Sequence, residues 1–210
     1  QRQMCIRDSY SSVPNTFINY HQEGPLSDDM APHAEWTGWF AYDIVGKQMG
    51  NWNPSSEDNN DYWRVLPKKI RQAQIFIQNV KPIENQNLTV EEAERMKLEA
   101  RFLIAYYYAL LVEFYGAVPF TAEPIDLDAP YDVLMMQQVP VHQVIDWIDN
   151  ELLEVSKGLP ASYTNPTLYG RATSLMCLAV RSRLLLLSAS PLLNGNKDYM
   201  NPVSYTHLRA

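Results

Sequence analysis

The chain has 210 residues, of which 46% are hydrophobic and 20% charged, so it is long enough and apolar enough to bury a core. Seventeen Lys and Arg residues against 24 Asp and Glu residues give a formal net charge of -7. This acidic balance argues against nucleic acid as a partner, because phosphate backbones are bound through an excess of positive charge. Two cysteines, Cys5 and Cys177, make neither a disulfide framework nor a four-ligand zinc site.

The two ends of the chain differ in character from its middle. Residues 1–9 and 203–210 are short and aperiodic, and neither adjoins a helix signal. We therefore expect both to be non-native tails. Residues 10–202 are expected to form a partial helical domain whose natural start and finish are missing.

A first helix is predicted over about residues 61–80, after a weakly helical stretch at 30–48 and a loop of Asn, Ser and Pro at 50–60. Its apolar residues repeat at helical spacing: Leu66, Ile70, Ala73, Phe76, Ile77 and Val80. Pro67 either kinks this helix or marks its true first turn.

The clearest helix runs from Thr89 to Tyr115. Thr89 and Glu92 form an S/T-x-x-E capping box, and Gly116 followed by Pro119 ends the helix. Apolar residues cover more than one of its sides, which predicts a central position among several packed helices. Its tyrosines at 106–108 point three ways, so at most one of them can share a face with a ligand, and packing with a hydroxyl partner is the default.

Two more helices follow a proline-bearing loop at 117–138. One begins at Pro140 and ends at Gly158, and the face opposite its apolar side is expected to be solvated: Asp146, Asp149, Asn150 and Glu154. The other begins near Thr173 and runs to Pro191, with an apolar series formed by Met176, Val180, Leu184 and Leu187.

No alternating pattern of useful length predicts a strand. The predicted fold class is therefore all-α. We expect irregular helix pairs joined by long polar loops, in the manner of a solenoid whose repeats cannot be counted from the sequence.

Signatures of common catalytic chemistry are absent from the sequence. There is no phosphate-binding glycine loop and no G-x-S-x-G string, and the four histidines lack a second ligand at helical spacing, so neither a metal nor a cofactor is predicted. Two carboxylate pairs, Asp146 with Asp149 and Glu91 with Glu92, could in principle act on a glycosidic bond. We interpret both as structural, because one lies on a solvated face and the other in the first turn of a helix.

Aromatic residues are concentrated between positions 36 and 63: Trp36, Trp39, Phe40, Trp52, Tyr62 and Trp63. The loop around Trp52 is rich in Asn and Ser, which bind sugar hydroxyls while an indole face stacks on the apolar side of the ring. The candidate ligand-binding residues are Trp36, Trp39, Trp52 and Asn53. The alternative is a role in the core, which we favour for Trp63, and for Trp52 both interpretations stay open.

The segment EARFLIAYYYALLVEFYGAVP, from Glu99 to Pro119, resembles the hallmark of the SusD/RagB family of outer-membrane nutrient-binding lipoproteins. It departs from that hallmark at Ile104, where the family usually has a basic residue. A second block is similar in the same order: GRAT at 170–173, then RLLLLSASPLLNG at 183–195. Between the two blocks, the segment from Pro140 to Pro160 resembles the connecting amphipathic helix of the family.

The resemblance spans roughly residues 36–195 and implies the tetratricopeptide-like helical scaffold of that family. It also implies a non-catalytic function, in which a lipid-anchored protein on the outer-membrane surface captures oligosaccharides, or in some members peptides. The implied partner is a SusC-like TonB-dependent transporter, to which the ligand is passed. Ligand residues differ among members, so the four candidates above depend on stacking chemistry alone.

Two other functions remain as hypotheses. A helical-repeat scaffold that binds only peptide or protein would use its acidic faces to meet a basic partner. An enzyme acting on glycans would need two carboxylates that converge in a pocket, and the sequence gives no sign of them.

Overall fold

The computed structural model describes residue 6 and residues 8–14, 50, 62–82, 88–126, 128–191 and 193. The chain divides into two compact units, Val13–Asp61 and a larger one formed by Gln1–Ser12 with Tyr62–Ala210. All the helices and strands described below belong to the larger unit.

The described residues of the larger unit are mostly helical, which confirms the predicted all-α class. Four long helices carry the structure: α1 (Tyr62–Asn79), α2 (Val90–Tyr115), α4 (Val141–Gly158) and α5 (Ser174–Ser188). Between α2 and α4 the predicted loop contains the short helix α3 (Tyr131–Leu134) and two strands, β1 (Val118–Pro119) and β2 (Gln138–Val139). These strands pair antiparallel over two residues each, so they close the loop at its base.

Helix α2 is the central element, as its apolar coverage predicted. It packs against α1, α4 and α5, and 14 of its 26 residues are buried. The Thr89 hydroxyl accepts the Glu92 N–H at 3.1 Å, which satisfies one of the free donors of the first turn. At the other end, Gly116 has a φ of 71° and its N–H donates to Val112 O, a conformation that favours glycine.

Helix α1 confirms the first predicted helix and settles the role of Pro67. Because the helix begins at Tyr62, Pro67 lies inside it and is not its first turn. Proline there lacks the N–H that would donate to the carbonyl four residues earlier. Packing against α2 offsets this loss, since Leu66, Ile70 and Ala73 on the same helix are almost completely buried.

Helices α4 and α5 pack on each other and on α2. The bounds of α4 match the prediction, with Val144, Ile145 and Ile148 buried against α2 and α5. The predicted apolar series of α5 is partly wrong, because Met176 is exposed and Val180 and Leu187 are only half-buried. Its buried face consists instead of Cys177, Leu184, Leu185 and Ser188.

Part of the predicted amino-terminal tail packs against the helices. Ile6 and Ser9 are buried, the Ser9 carbonyl accepts a hydrogen bond from the Tyr107 hydroxyl, and Lys69 Nζ donates to Asp8 O at 3.1 Å. The tail at 203–210 lies outside the described residues. The native or foreign origin of either tail stays a prediction.

Candidate functional site

The four candidate ligand residues, Trp36, Trp39, Trp52 and Asn53, all lie outside the described residues. The structure therefore does not test whether they lie together. The predicted weak helix at 30–48 also lies outside the described residues. Of the predicted loop at 50–60, only Gly50 is described.

The two sequence blocks that carry the family resemblance meet in space. Glu99, the first residue of one block, is completely buried on α2, and Arg171 of the GRAT block donates from Nε to Glu99 Oε2 at 3.0 Å. The Tyr10 hydroxyl donates to the same oxygen at 3.0 Å and accepts the N–H of Ala172 at 2.9 Å. A buried carboxylate thus joins α2 to the segment that leads into α5.

A second layer of charge surrounds this contact. Glu92 bonds to both Arg95 and Arg171, and Arg95 Nε lies 3.7 Å from the other Glu99 oxygen. Arg95 Nε and Glu99 Oε1 have no hydrogen-bond partner within the described residues. The Arg95 guanidinium also lies 5.7 Å from the centre of the Tyr163 ring, whose hydroxyl donates to Ala172 O. We call these six residues the Glu99 cluster: Tyr10, Glu92, Arg95, Glu99, Tyr163 and Arg171.

Burial governs the protonation of the Glu99 cluster. Desolvation raises the pKa of Glu99 above its usual value, although Arg171, the Tyr10 hydroxyl and Arg95 act to lower it. Desolvation together with the Glu99 charge raises the pKa of Tyr10 far above its ordinary range, so that its hydroxyl remains a donor. A protonated tyrosine between a carboxylate and a backbone N–H is suited to fixing a loop.

The three consecutive tyrosines are packed as predicted. Tyr107 and Tyr108 are buried and Tyr106 is half-buried. The Tyr108 hydroxyl donates to Thr121 O and accepts Thr121 N–H, both at 3.1 Å, so it holds the chain that follows β1. The hydroxyls of Tyr107 and Tyr108 are both bonded to backbone atoms, which indicates a structural role for these two residues. Ile104, the one departure from the family hallmark, is also buried.

Aromatic side chains form a group around α4 that the sequence analysis did not identify. The ring of Trp147 lies edge-on to Phe120 at 4.9 Å and to Tyr108 at 5.9 Å. The three residues come from α4, the segment after β1 and α2, so only the folded chain brings them together. Their contacts anchor the loop that begins at β1.

The prediction that Trp63 belongs to the core is wrong. Trp63 is 46% exposed, and its ring lies edge-on to Tyr115 at 5.2 Å. The backbone N–H of Trp63 donates to the Tyr115 hydroxyl at 3.2 Å. Tyr62, next to it, is the buried member of the pair and contacts Phe114 at 5.0 Å. The helical periodicity that suggested burial begins at Leu66, one turn later.

One acid of each carboxylate pair has a structural partner, and the prediction for Asp149 was wrong. Asp149 is not on a solvated face, because it is half-buried and bonds to Arg181 of α5 at 2.5 and 3.2 Å. Glu92 is in the Glu99 cluster. A further ion pair links α2 to α4, from Arg101 to Glu151 at 2.6 and 2.9 Å. Each of these acids joins two elements of the scaffold. An arginine that bonds a carboxylate through two nitrogens also fixes the relative orientation of the two groups.

One open cleft of about 770 Å³ lies beside the loop after β1. Its lining combines acidic, apolar and proline residues with one arginine: Arg71, Glu123, Pro124, Ile125, Asp126, Asp128, Ala129, Pro130 and Val133. The Arg71 side chain reaches the loop from α1, and its Nη1 donates to Ile125 O. The arginine therefore ties α1 to the loop.

Within the described part of the chain, no group of three His, Cys, Asp or Glu residues is placed to hold a metal ion. Cys177 is buried, and desolvation raises the pKa of its thiol to about 11. None of the described helices is long and apolar enough to cross a membrane.

Residues 9–186 match a family model, SusD-like, described as starch-binding associating with outer membrane. No curated protein sequence matches the chain. Among solved structures, BT4246 is 27% identical over 95% of this chain and 33% of its own, with a TM-score of 0.74.

Two further structures are less similar in sequence and share the fold. A SusD-like protein of Bacteroides fragilis, BF3747, is 22% identical over 90% of this chain and 35% of its own, with a TM-score of 0.65. Surface glycan-binding protein A of Bacteroides uniformis is 20% identical over 90% of this chain and 42% of its own, with a TM-score of 0.64. The chain thus spans about a third of the length of BT4246 and BF3747. Because the family model covers most of the 210 residues, the chain belongs to the SusD-like family.

Proposed function

We propose that this protein captures oligosaccharides at the cell surface and passes them to a SusC-like TonB-dependent transporter without catalysing a reaction. The observation that carries the proposal is the match of residues 9–186 to a family described as starch-binding associating with outer membrane. A structurally similar protein is named as a surface glycan-binding protein, which supports the same class of ligand. Attachment to the outer membrane through a lipid anchor is part of the proposal.

The contacts of the described helices favour a structural role for these helices. We therefore place ligand binding in another part of the chain. Glu99, Glu151 and Asp149 pair with Arg171, Arg101 and Arg181 respectively, so each of these acids joins two elements of the scaffold. A rigid scaffold held in this way can position loops that carry ligand residues. We therefore assign sugar binding to Trp36, Trp39, Trp52 and Asn53, which belong to the other compact unit.

Stacking on these indoles suits capture followed by release. Each aromatic contact contributes about 0.5–1.5 kcal/mol beyond the area it buries, by analogy with aromatic pairs. A few such contacts, together with the area they bury, are consistent with dissociation constants in the micromolar to millimolar range. These constants correspond to a binding free energy of about 4–8 kcal/mol in magnitude. Binding of that strength lets a ligand leave for a transporter.

Calorimetric titration tests the proposal with a panel of starch-type, laminarin-type and other oligosaccharides. We expect saturable binding of at least one glycan, weakened at least several-fold by Trp52→Ala. The matched control is Tyr169→Ala, which removes an exposed ring from the larger unit and leaves binding unchanged. Absence of binding to every glycan, together with saturable binding of a peptide, would favour the peptide-binding scaffold.

Two further measurements address the remaining parts of the proposal. Incubation of the bound glycan with the protein should release no new reducing ends, and release that depends on a carboxylate would show an enzyme instead. Co-purification with a TonB-dependent β-barrel transporter from native membranes tests the proposed partner. A full-length protein that never co-purifies with one would contradict that part.

A further inference from the structure

The short helix α3 and the residue that follows it form an apolar surface open to solvent. Four large apolar side chains are 45–74% exposed there, with only Asp132 between the first and the second: Tyr131, Val133, Leu134 and Met135. None of the residues of α3 is buried, so this helix turn adds nothing to the core. Exposed apolar groups of this kind mark interaction sites, and Tyr and Met are enriched at the centres of protein interfaces. We call these four residues the α3 surface.

The loop that carries the α3 surface is fixed to the scaffold. At its base β1 pairs with β2, and Thr121 is bonded by the Tyr108 hydroxyl and by Gln74 Nε2, the latter at 2.9 Å. Nearer the tip, Arg71 of α1 donates to Ile125 O. Because α1, α2 and the strand pair all hold this loop, the α3 surface is presented in one arrangement, which lowers the entropy cost of binding a partner.

The charges around the α3 surface all have the same sign. Residues 117–138 contain four acids and no Lys, Arg or His, and all four acids are exposed: Glu123, Asp126, Asp128 and Asp132. The first three line the cleft of about 770 Å³, and Val133 of the α3 surface lies on the wall of the same cleft. Acidic and apolar groups are therefore next to one another on this loop. The complementary partner carries positive charge beside large apolar side chains.

We propose that the α3 surface docks a segment of another protein in which Lys or Arg residues stand next to large apolar residues. The apolar residues of that segment pack on Tyr131, Leu134 and Met135. One of its basic side chains enters the cleft beside Asp126 and Asp128. The combination of apolar contact and opposite charge selects such a partner over an acidic protein. This inference does not depend on glycan capture, because every residue it uses lies on this loop.

Fluorescence anisotropy with two labelled synthetic peptides tests the proposal on the 210-residue chain. One peptide combines Lys with Leu and Phe, and the other has Glu in place of every Lys. We expect the lysine peptide to bind saturably and the glutamate peptide to bind at least about tenfold more weakly. Equal binding of both peptides, or no binding of the lysine peptide, would overturn the proposal.

Two double variants test the apolar and the charged parts of the surface separately. Tyr131→Ser with Leu134→Ser removes apolar contact, and Asp126→Asn with Asp128→Asn removes charge beside the cleft. Each should weaken binding of the lysine peptide about tenfold, because docking uses both kinds of contact. Circular dichroism checks that each variant is folded. If the apolar double variant unfolds, Met135→Ser replaces it, since this exposed residue lies just after α3.

Matched controls separate docking from general attraction to an acidic chain. Tyr169→Ser with Leu175→Ser removes exposed apolar side chains elsewhere in the larger unit, and Glu91→Gln with Glu94→Gln removes exposed acids of α2. Both controls should leave binding of the lysine peptide unchanged. Losses in the controls as large as those in the α3-surface variants would show non-specific attraction and would overturn the proposal.

Discussion

Removing the Arg171 side chain should destabilise the scaffold more than any other single ion-pair change described above. Arg171→Leu removes the main cationic partner of the completely buried Glu99 and leaves only the Tyr10 hydroxyl and the 3.7 Å contact to Arg95 beside its carboxyl group. Breaking a buried ion pair from one side costs about 3–5 kcal/mol, and the two remaining partners place this site at the lower end, near 3 kcal/mol. For a domain of this size, that corresponds to a fall in Tm of about 6–12 °C.

Urea denaturation followed by far-ultraviolet circular dichroism measures this free energy. The matched control is Arg183→Leu, because Arg183 bonds to Glu113 at 2.5 Å with an exposed side chain. Exposed pairs contribute about 0–1 kcal/mol, so the control should change little. A double-mutant cycle with Glu99→Gln should then show strong coupling to Arg171. Additive effects of the two substitutions, or equal losses in Arg171→Leu and the control, would refute the reasoning.

The same variant should show a defined pH dependence. Because burial raises the pKa of Glu99, the folded state holds its proton more tightly than the unfolded chain. Protonated Glu99 therefore contributes stability that is fully present below the pKa of the unfolded chain, near 4.5. This contribution is lost as the pH rises through the pKa of the folded state. Arg171 lowers that pKa, so its removal raises it further. The difference in unfolding free energy between wild type and Arg171→Leu should therefore shrink from pH 7 towards pH 4, and a constant difference would contradict this mechanism.

Three other substitutions or reactions follow from the described packing. In a Cys5→Ser background, Cys177 should resist a thiol reagent at pH 8 until urea unfolds the chain, since burial raises its pKa to about 11, and rapid labelling of the folded chain would contradict this. Gly158→Val should lower the free energy of unfolding by about 0.5–1.5 kcal/mol, because a Cβ at that position would lie 2.6 Å from Leu98 Cδ1 and would turn this half-buried side chain out of its preferred rotamer. Thr89→Ala should lower it by about 1 kcal/mol through loss of the cap of α2, and an unchanged urea midpoint would show that the cap contributes nothing.

Local signals in the sequence were sufficient to predict the long helices. The ends of α2 are encoded within a few residues of each end, by Thr89 and by Gly116, and the structure places both as predicted. For α5 the same method identified the helix but not its buried face. Leucines occur on both sides of α5, so its hydrophobic pattern does not show which side packs inward.

Contacts between distant residues account for the parts that the sequence could not predict. Glu99 and Arg171 are 72 positions apart, and nothing near either residue indicates their pairing. Asp149 looked solvated because its partner Arg181 is on another helix. The exposure of Trp63 likewise depends on the tertiary fold around it. Such pairings depend on tertiary structure, which single-sequence periodicity does not contain.

Fluorine NMR of the protein labelled with 5-fluorotryptophan tests the central claim most directly, because the five tryptophans report on separate places in one sample. Trp147 is packed against Tyr108 and Phe120 and serves as the internal reference. Saturation with an oligosaccharide should shift the resonances of Trp36, Trp39 and Trp52 and leave that of Trp147 in place. If no resonance moves with any glycan, or if only Trp147 responds, sugar capture by these aromatic residues is contradicted.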